Sequence, residues 1–487
     1  MRKLKCPVGE KWMRDWSVGP SVMARKERMD YFTTLTRRRE IGANSYLVQL
    51  GDTRIVLDAG MHPKADGREA IPRYDLLPYD SVDAIIITHS HLDHVGTLPV
   101  LQREQPRALV YMTEPTGALV DAMLHNSVNV MTAKRMEKGI ADFPLYSHRE
   151  ADQLSRIWEY RKVRQRFQIG DNGVECEFFD AGHILGSVGV MLYHEGRRIF
   201  YTGDVNFEDQ TIAKSAEFPE EPVDTLIVET TRGASPRRID YTREDESHRL
   251  AEGIRAAIER GGSVLIPVFA MGKTQEIIVM LEELRRRRRI PKTRVHMGGL
   301  STKMTTIFDK YSDKVRRNHK GLEILNDLDV EVSSRKRNRS IEYRRGEIYA
   351  LSSGMMTEKT LSNQFAAHFL DNPKNALLIV GYCDPESPAG RILVTPRNER
   401  VSLDASHPSI PLRCDVQQFD FSGHATRESI RDFIARVRPE QLILVHGDED
   451  AMEWFQEGAK VDLPGVDVVI PDVDSQVSLG IMSHAGA

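Results

Sequence analysis

The sequence predicts an α/β protein of several domains, one of them built on a largely parallel sheet. Three observations carry this. At 487 residues the chain exceeds one ordinary domain, so two or three are expected. Short apolar strand runs dominate its first half, and from about residue 233 strands and helices alternate. The expected divisions are residues 1–232, 233–405 and 406–487.

Taken in order, "SYLVQLGDTRIVLDAG" reads as two strands joined by a Gly51-Asp52 hairpin turn. A strand ending at Thr88 follows, and apolar spacing makes residues 115–165 mostly helical. Strands return at "ECEFFDAGHILGSVGVMLYHE", "RRIFYTGDV" and "VDTLIVETT". Beyond 233 a helix over 247–260 precedes the strand "SVLIPVF", and a helix over 273–289 follows it. Next come a strand near "RVHMG", a helix from Ser301, a strand "GEIYALSS", a helix from Thr360 and a strand "ALLIVGY". The tail from about 406 gives a strand, a helix "RESIRDFIARV", the strand "QLILVHG" and a last helix.

Composition excludes several classes. No apolar stretch is long enough to cross a bilayer. "MRKLKCPVGEKWMRDW" is basic but lacks the apolar core of a secretion signal, which points to the cytoplasm. Cys6, Cys176, Cys383 and Cys414 form no CxxC pair, so neither a disulfide framework nor a thiolate zinc site is expected. With 67 Lys+Arg against 71 Asp+Glu, a polyanionic substrate would need a local basic surface.

Within "VDAIIITHSHLDHVGTLPV" stand His89, His91, Asp93 and His94. Such a cluster is open to three readings: a metal site, a pH-sensitive loop, or chance among 16 histidines. Its density on a strand-to-helix turn favours metal. His89 and His91, two apart on extended chain, can face the same way. Asp93 and His94 are adjacent and point differently, so the stretch can feed two neighbouring ions. Imidazole and carboxylate suit zinc or a similar divalent cation. Further ligands are on offer: His183 in "FDAGHILGS", Asp204 in "YTGD", where a carboxylate could bridge two ions, and His446 in "LILVHGDED". Asp58, ending the strand "IVLD", could orient a ligand from behind. Taken singly, His183 and Asp204 are ordinary strand-end residues.

"THSHLDHVG" resembles the HxHxDH signature of the metallo-β-lactamase fold, and Asp58, His183, Asp204 and His446 match its remaining positions in order. The resemblance implies that His89, His91 and His183 hold one zinc, Asp93, His94 and His446 the other, and Asp204 bridges them. Asp204 and His446 are 242 positions apart, so a whole α/β domain is inserted between them. That arrangement is similar to the β-CASP nucleases. "LIVETTRG", "FDFSGHAT" and "LVHGDE" resemble three further marks of that branch, naming Glu229, His424 and His446; "IPVFAMGKTQE" and "LSSGMM" are weaker echoes. Asp448 stands where many members have Glu.

What the resemblance implies is specific. The fold would be a metallo-β-lactamase αββα sandwich interrupted by a β-CASP α/β domain with a mainly parallel sheet. The activity would be a zinc-dependent (or manganese-dependent) ribonuclease, endo- or 5′-exonucleolytic, hydrolysing phosphodiester bonds of single-stranded RNA with a hydroxide generated at two metals. Asp93 would position the nucleophile. His424, supported by Glu229, would protonate the leaving 3′-oxygen. A DNA nuclease of the same branch is the main alternative; His446 favours RNA, because DNA-repair members often replace that histidine. A small-molecule hydrolase is disfavoured by the insertion and by Glu229 and His424. An iron-dependent redox member would carry an acid at His91, and a dead scaffold would have lost ligands. With 41 residues after His446, the chain is expected to lack the C-terminal domain of RNase J, and also to lack KH modules before the first strand. It looks like a minimal relative of the pre-mRNA cleavage nuclease subunit, with a homodimer left open.

Two motifs are expected to be decoys. "FAMGKTQE" has Pro267 where a phosphate loop needs glycine, so no ATP site is expected. Arg285–Arg289 is read as a solvated helix terminus.

Overall fold

The computed structural model describes residues 30–332, 341–405 and 408–479. The basic N-terminal stretch and Cys6 lie outside them. Two seven-stranded sheets face each other. One runs Gln476–Ser478, Tyr31–Thr34, Tyr46–Leu50, Thr53–Leu57, Ala84–Ile86, Leu109–Met112, Trp158–Tyr160. The other runs Asp467–Val469, Gln441–Val445, Thr225–Glu229, Arg197–Tyr201, Val188–His194, Val174–Asp180, Phe167–Ile169. Between them lies a core of Val48, Ile55, Ile86, Val190, Ile227 and Ile443 among others, all buried. Each such side chain contributes about 1.5–3 kcal/mol on leaving water.

Helices cover both outer faces. Leu98, Val120 and Leu124, from helices Leu98–Glu104 and Glu114–Lys138, pack on the first sheet. Ile430, Phe433 and Phe455, from helices Arg427–Val437 and Glu449–Asp462, pack on the second. The result is an αββα sandwich. The third sheet has six strands, and every pairing in it is parallel. Its strands "VLIP", "IYAL" and "ALLIV" are buried throughout, as expected where helices cover both faces.

The Gly51-Asp52 hairpin is present, with Leu50 opposite Thr53. Three details differ from the sequence expectation. An extra strand, Tyr31–Thr34, precedes the hairpin and is fixed by pairing with Tyr46–Leu50. The span expected to be mostly helical ends instead in a strand, Trp158–Tyr160, parallel to Leu109–Met112. Third, Asp415–Phe419 pairs with Ala376–Val380 on the inserted sheet, and Phe419 sits in that domain's core. We therefore propose that the inserted domain ends after Phe419 rather than at 405. The two units meet at a cluster of Leu119, Ile184, Leu185, Met271, Met304 and Phe308. No helix among the described residues is long and apolar enough to cross a membrane.

Candidate metal centre

The sandwich delivers its chemistry at strand ends. Asp58 follows Thr53–Leu57, His89 and His91 follow Ala84–Ile86, Asp204 follows Arg197–Tyr201, and His446 follows Gln441–Val445. Glu229 is the last residue of its strand. His183 lies in the loop before Val188–His194, and Asp93 and His94 open the short helix Leu92–Val95. Parallel pairing of Thr53–Leu57 with Ala84–Ile86, and of Arg197–Tyr201 through Thr225–Glu229 to Gln441–Val445, brings these ends to one rim. Asp58 (φ 61°) and His446 (φ 51°) both adopt the left-handed conformation, uncommon outside glycine and often held at functional sites.

Asp204 divides the cluster. Its Oδ2 lies 3.4 Å from His89 Nε2 and 3.5 Å from His183 Nε2. Its Oδ1 lies 3.3 Å from His94 Nε2 and 3.2 Å from the His446 ring. On the first side, His91 Nδ1 is 3.1 Å from both His89 Nε2 and His183 Nε2. On the second, Asp93 Oδ2 is 3.6 Å from His446 Nε2 and 4.0 Å from His94 Nε2.

The outward-facing ring nitrogens are held from behind. His94 Nδ1 meets Asp58 Oδ2 at 2.8 Å, and Asp58 also accepts from the Thr88 N–H (2.8 Å) and the Tyr201 hydroxyl (2.9 Å). The Gly423 carbonyl lies 2.8 Å from His183 Nδ1. For His94 and His183 these contacts turn Nε2 inward. His446 Nδ1 lies 2.9 Å from the Thr231 hydroxyl and 3.2 Å from Asp204 Oδ1, while its Nε2 faces Asp93.

Electrostatics follow from burial and neighbours. Burial, then His94, holds His89 well below its ordinary value, and burial likewise lowers His91 and His183. These rings are neutral, the form that binds metal. For His94, burial is outweighed by Asp204 and Asp58, which push it well above its ordinary value. Burial opposes ionisation of Asp204 too, yet His446, His94 and His89 hold it well below the carboxylate range. Asp93 falls to about 2, burial being outweighed by its bond to His446 and by the His94 charge.

The donor set fits divalent cations. Tetrahedral bonds of about 2.0–2.1 Å place neighbouring donors about 3.3–3.4 Å apart, and the His89–His91–His183–Asp204 separations are 3.1–3.5 Å. Asp204 Oδ1 and His446 Nε2 are buried with no hydrogen-bond partner, although such groups ordinarily find one. A cation between them would satisfy both.

Beside this centre, His424 Nδ1 lies 3.1 and 3.3 Å from the two Glu229 oxygens and 3.9 Å from Asp204 Oδ2. Burial alone would lower the His424 pKa, but Glu229 and Asp204 raise it to about 9. A half-buried imidazolium at the edge of a candidate metal centre can give up a proton there.

Sequence reasoning named these ten residues, and the structure brings all of them to one rim. It missed the supports: Thr88, Tyr201, Thr231 and the clamp on the His424 loop. In that clamp Asp420 takes a two-pronged bond from Arg232 (3.1 and 2.7 Å) and a third from Arg237 (3.3 Å). Lys273, the lysine of the Gly-Lys-Thr decoy, donates from its buried ammonium to the Phe421 carbonyl. Burial and Arg243 push its pKa down to about 8. In the same motif Glu276 accepts the N–H groups of Thr211, Ile212 and Ala213. "FAMGKTQE" therefore joins the inserted domain to the sandwich. Arg286 is exposed and pairs with Glu282 on its own helix, whereas Arg285 is largely covered and pairs with both Glu282 and Asp329.

An αββα sandwich with this rim of histidines and carboxylates defines the metallohydrolase class. Three family models match: "Metallo-beta-lactamase superfamily" over residues 38–253, "Beta-Casp domain" over 274–392, and "Zn-dependent metallo-hydrolase RNA specificity domain" over 409–471. The chain belongs to the β-CASP branch of the metallo-β-lactamase superfamily. It is 30% identical over 433 residues to "Endoribonuclease YSH1" of Eremothecium gossypii, covering 86% of this chain and 55% of that protein. "Endoribonuclease ysh1" of Schizosaccharomyces pombe is 31% identical over 427 residues, 86% and 54%. "Cleavage and polyadenylation specificity factor subunit 3" of Dictyostelium discoideum is 27% identical over 454 residues, 90% and 56%. The chain thus spans little more than half of these relatives. A solved protein of unknown function from Enterococcus faecalis V583 shares the fold, with a TM-score of 0.56 at 14% identity over 92% of this chain and 100% of that one.

Proposed function

We propose that the protein is a ribonuclease dependent on two zinc ions, with manganese as the alternative metal, that hydrolyses phosphodiester bonds of single-stranded RNA. One observation carries this reading: Asp204 divides its two oxygens between two donor groups, with the Glu229–His424 pair alongside. The match to an RNA specificity domain and the endoribonuclease names of the relatives support RNA as substrate.

In this reading His89, His91 and His183 hold one ion, and Asp93, His94 and His446 the other, with Asp204 shared. Bound there, the ions would supply a water deprotonated near neutral pH and neutralise charge on the phosphate oxygens. Asp58 fixes the His94 ring, and Thr88 and Tyr201 fix Asp58. Asp93 orients the attacking water from the rim. His424 protonates the departing 3′-oxygen, and Glu229 keeps it charged and turned inward. Glu229 is itself held by the Val205 N–H at 2.7 Å.

The test compares 5′-labelled and internally labelled RNA with single-stranded DNA of the same sequence, in zinc or manganese, beside metal analysis of the protein. RNA-selective cleavage with two equivalents of bound metal is the expected result. Equal turnover of DNA would replace RNA by nucleic acid in general, and a single metal equivalent would overturn the shared role of Asp204.

A further inference from the structure

Behind the loop that carries His183 lies a cavity of about 720 Å³, walled by both the sandwich and the inserted domain. The His183 ring faces Asp204, and residues 182–187, His183 among them, also line the cavity. Lys162, Lys214 and Lys314 reach this cavity from three separate segments, and among the described residues none has an ion-pair partner.

The acids in the lining are already engaged. Glu276 holds three backbone N–H groups, Glu217 pairs with Arg316 at 2.7 Å, and Glu114 accepts from the Tyr311 hydroxyl at 3.1 Å. Asp180 accepts the Gly182 N–H at 2.9 Å and lies 3.8 Å from Arg316. Arg317, also in the wall and buried, donates only to carbonyls of Phe308, Asn318 and Leu322. Seven Lys and Arg side chains line the cavity against four Asp and Glu, so its net charge is positive. A concave surface of one sign concentrates counter-ions, and this volume is that of a small-molecule site. Tyr160, Ile184, Leu185, Phe308 and Tyr311 add apolar and aromatic wall.

We propose that this cavity binds a phosphorylated small molecule of nucleotide size, with its phosphates on Lys162, Lys214 and Lys314 and its apolar part against Tyr160, Phe308 and Tyr311. The site borders the metal centre at His183, a residue of both linings, but does not depend on the nuclease reading.

The test is calorimetric titration of the metal-loaded protein with uridine diphosphate, and competition by inorganic pyrophosphate. The variants are K214E/K314E, its charge-neutral counterpart K214Q/K314Q in case the reversal perturbs folding, and D93A at the metal centre. The expected result is saturable binding, competed by pyrophosphate, weakened at least about tenfold by either lysine pair and little changed by D93A. No saturable binding, no competition, or unchanged affinity in both lysine variants would overturn the proposal. So would loss in D93A alone, which would place the ligand on the metals. Displacement by an uncleavable RNA whose own binding falls in K214E/K314E would give the cavity to the strand instead.

Discussion

At the scale of the residue, each proposed role has its own signature. Asp93→Ala is expected to abolish cleavage, and retention of full activity would end the two-metal reading. His424→Ala is expected to slow cleavage by about 10²–10⁴-fold, the usual worth of a positioned acid, with metal content unchanged. Loss of one metal equivalent would make His424 a ligand instead. The sign of the pH effect follows from the raised His424 pKa: the proton is present below about 9 and lost above it. Cleavage should fall on the alkaline side of about 9. Glu229→Gln removes the main charge raising that pKa and should move the fall to lower pH, which a merely structural Glu229 would not do. Asp58→Ala should weaken metal binding by about 10–100-fold, as loss of an orienting partner does, measured by chelator competition.

At the scale of the element, the turn after Thr53–Leu57 is packed to its limit. A Cβ on Gly60 would stand 1.8 Å from the Asp93 carbonyl oxygen. Gly60→Ala should therefore cost about 1–3 kcal/mol, as overpacking does, and disturb Asp93, read together as a lower Tm and slower cleavage. Elements also show why the sequence was legible where it was. The strands bearing ligands are apolar runs ended by an acid or histidine, and "THSHLDHVG" packs four functional residues into six positions. Trp158–Tyr160 was not legible, because three residues with two exposed side chains carry no period. Asp415–Phe419 reads as a strand, but nothing local says which sheet takes it; that is settled by pairing with Ala376–Val380. Thr88, Tyr201 and Lys273 escaped because a support is defined by what it touches. Their types are common, and their partners lie far along the chain.

At the scale of the molecule, the candidate ligands join the two faces of the sandwich. His89, His91, Asp93 and His94 come from the first sheet's rim, and Asp204 and His446 from the second's. Metal held there binds only the folded state, and a ligand at 1,000 times its Kd stabilises by about 4 kcal/mol. Chelation should lower the Tm, and the shift should vanish in Asp204→Ala. Between the two domains, Lys359 pairs with Glu137 at 2.6 Å, an exposed pair that contributes roughly 0–1 kcal/mol, and Lys64 pairs with the buried Asp384.

The order in which the chain supplies its parts has one more consequence. Strand Gln441–Val445 fills the place between Thr225–Glu229 and Asp467–Val469, so the second sheet closes only after the inserted domain has been made. A ribosome that has translated as far as Phe419 has produced the whole "THSHLDHVG" cluster and Asp204, but neither His424 nor His446. The growing polypeptide therefore lacks the proposed acid and the last candidate ligand of its metal centre while its own messenger is still threaded through the machine that makes it.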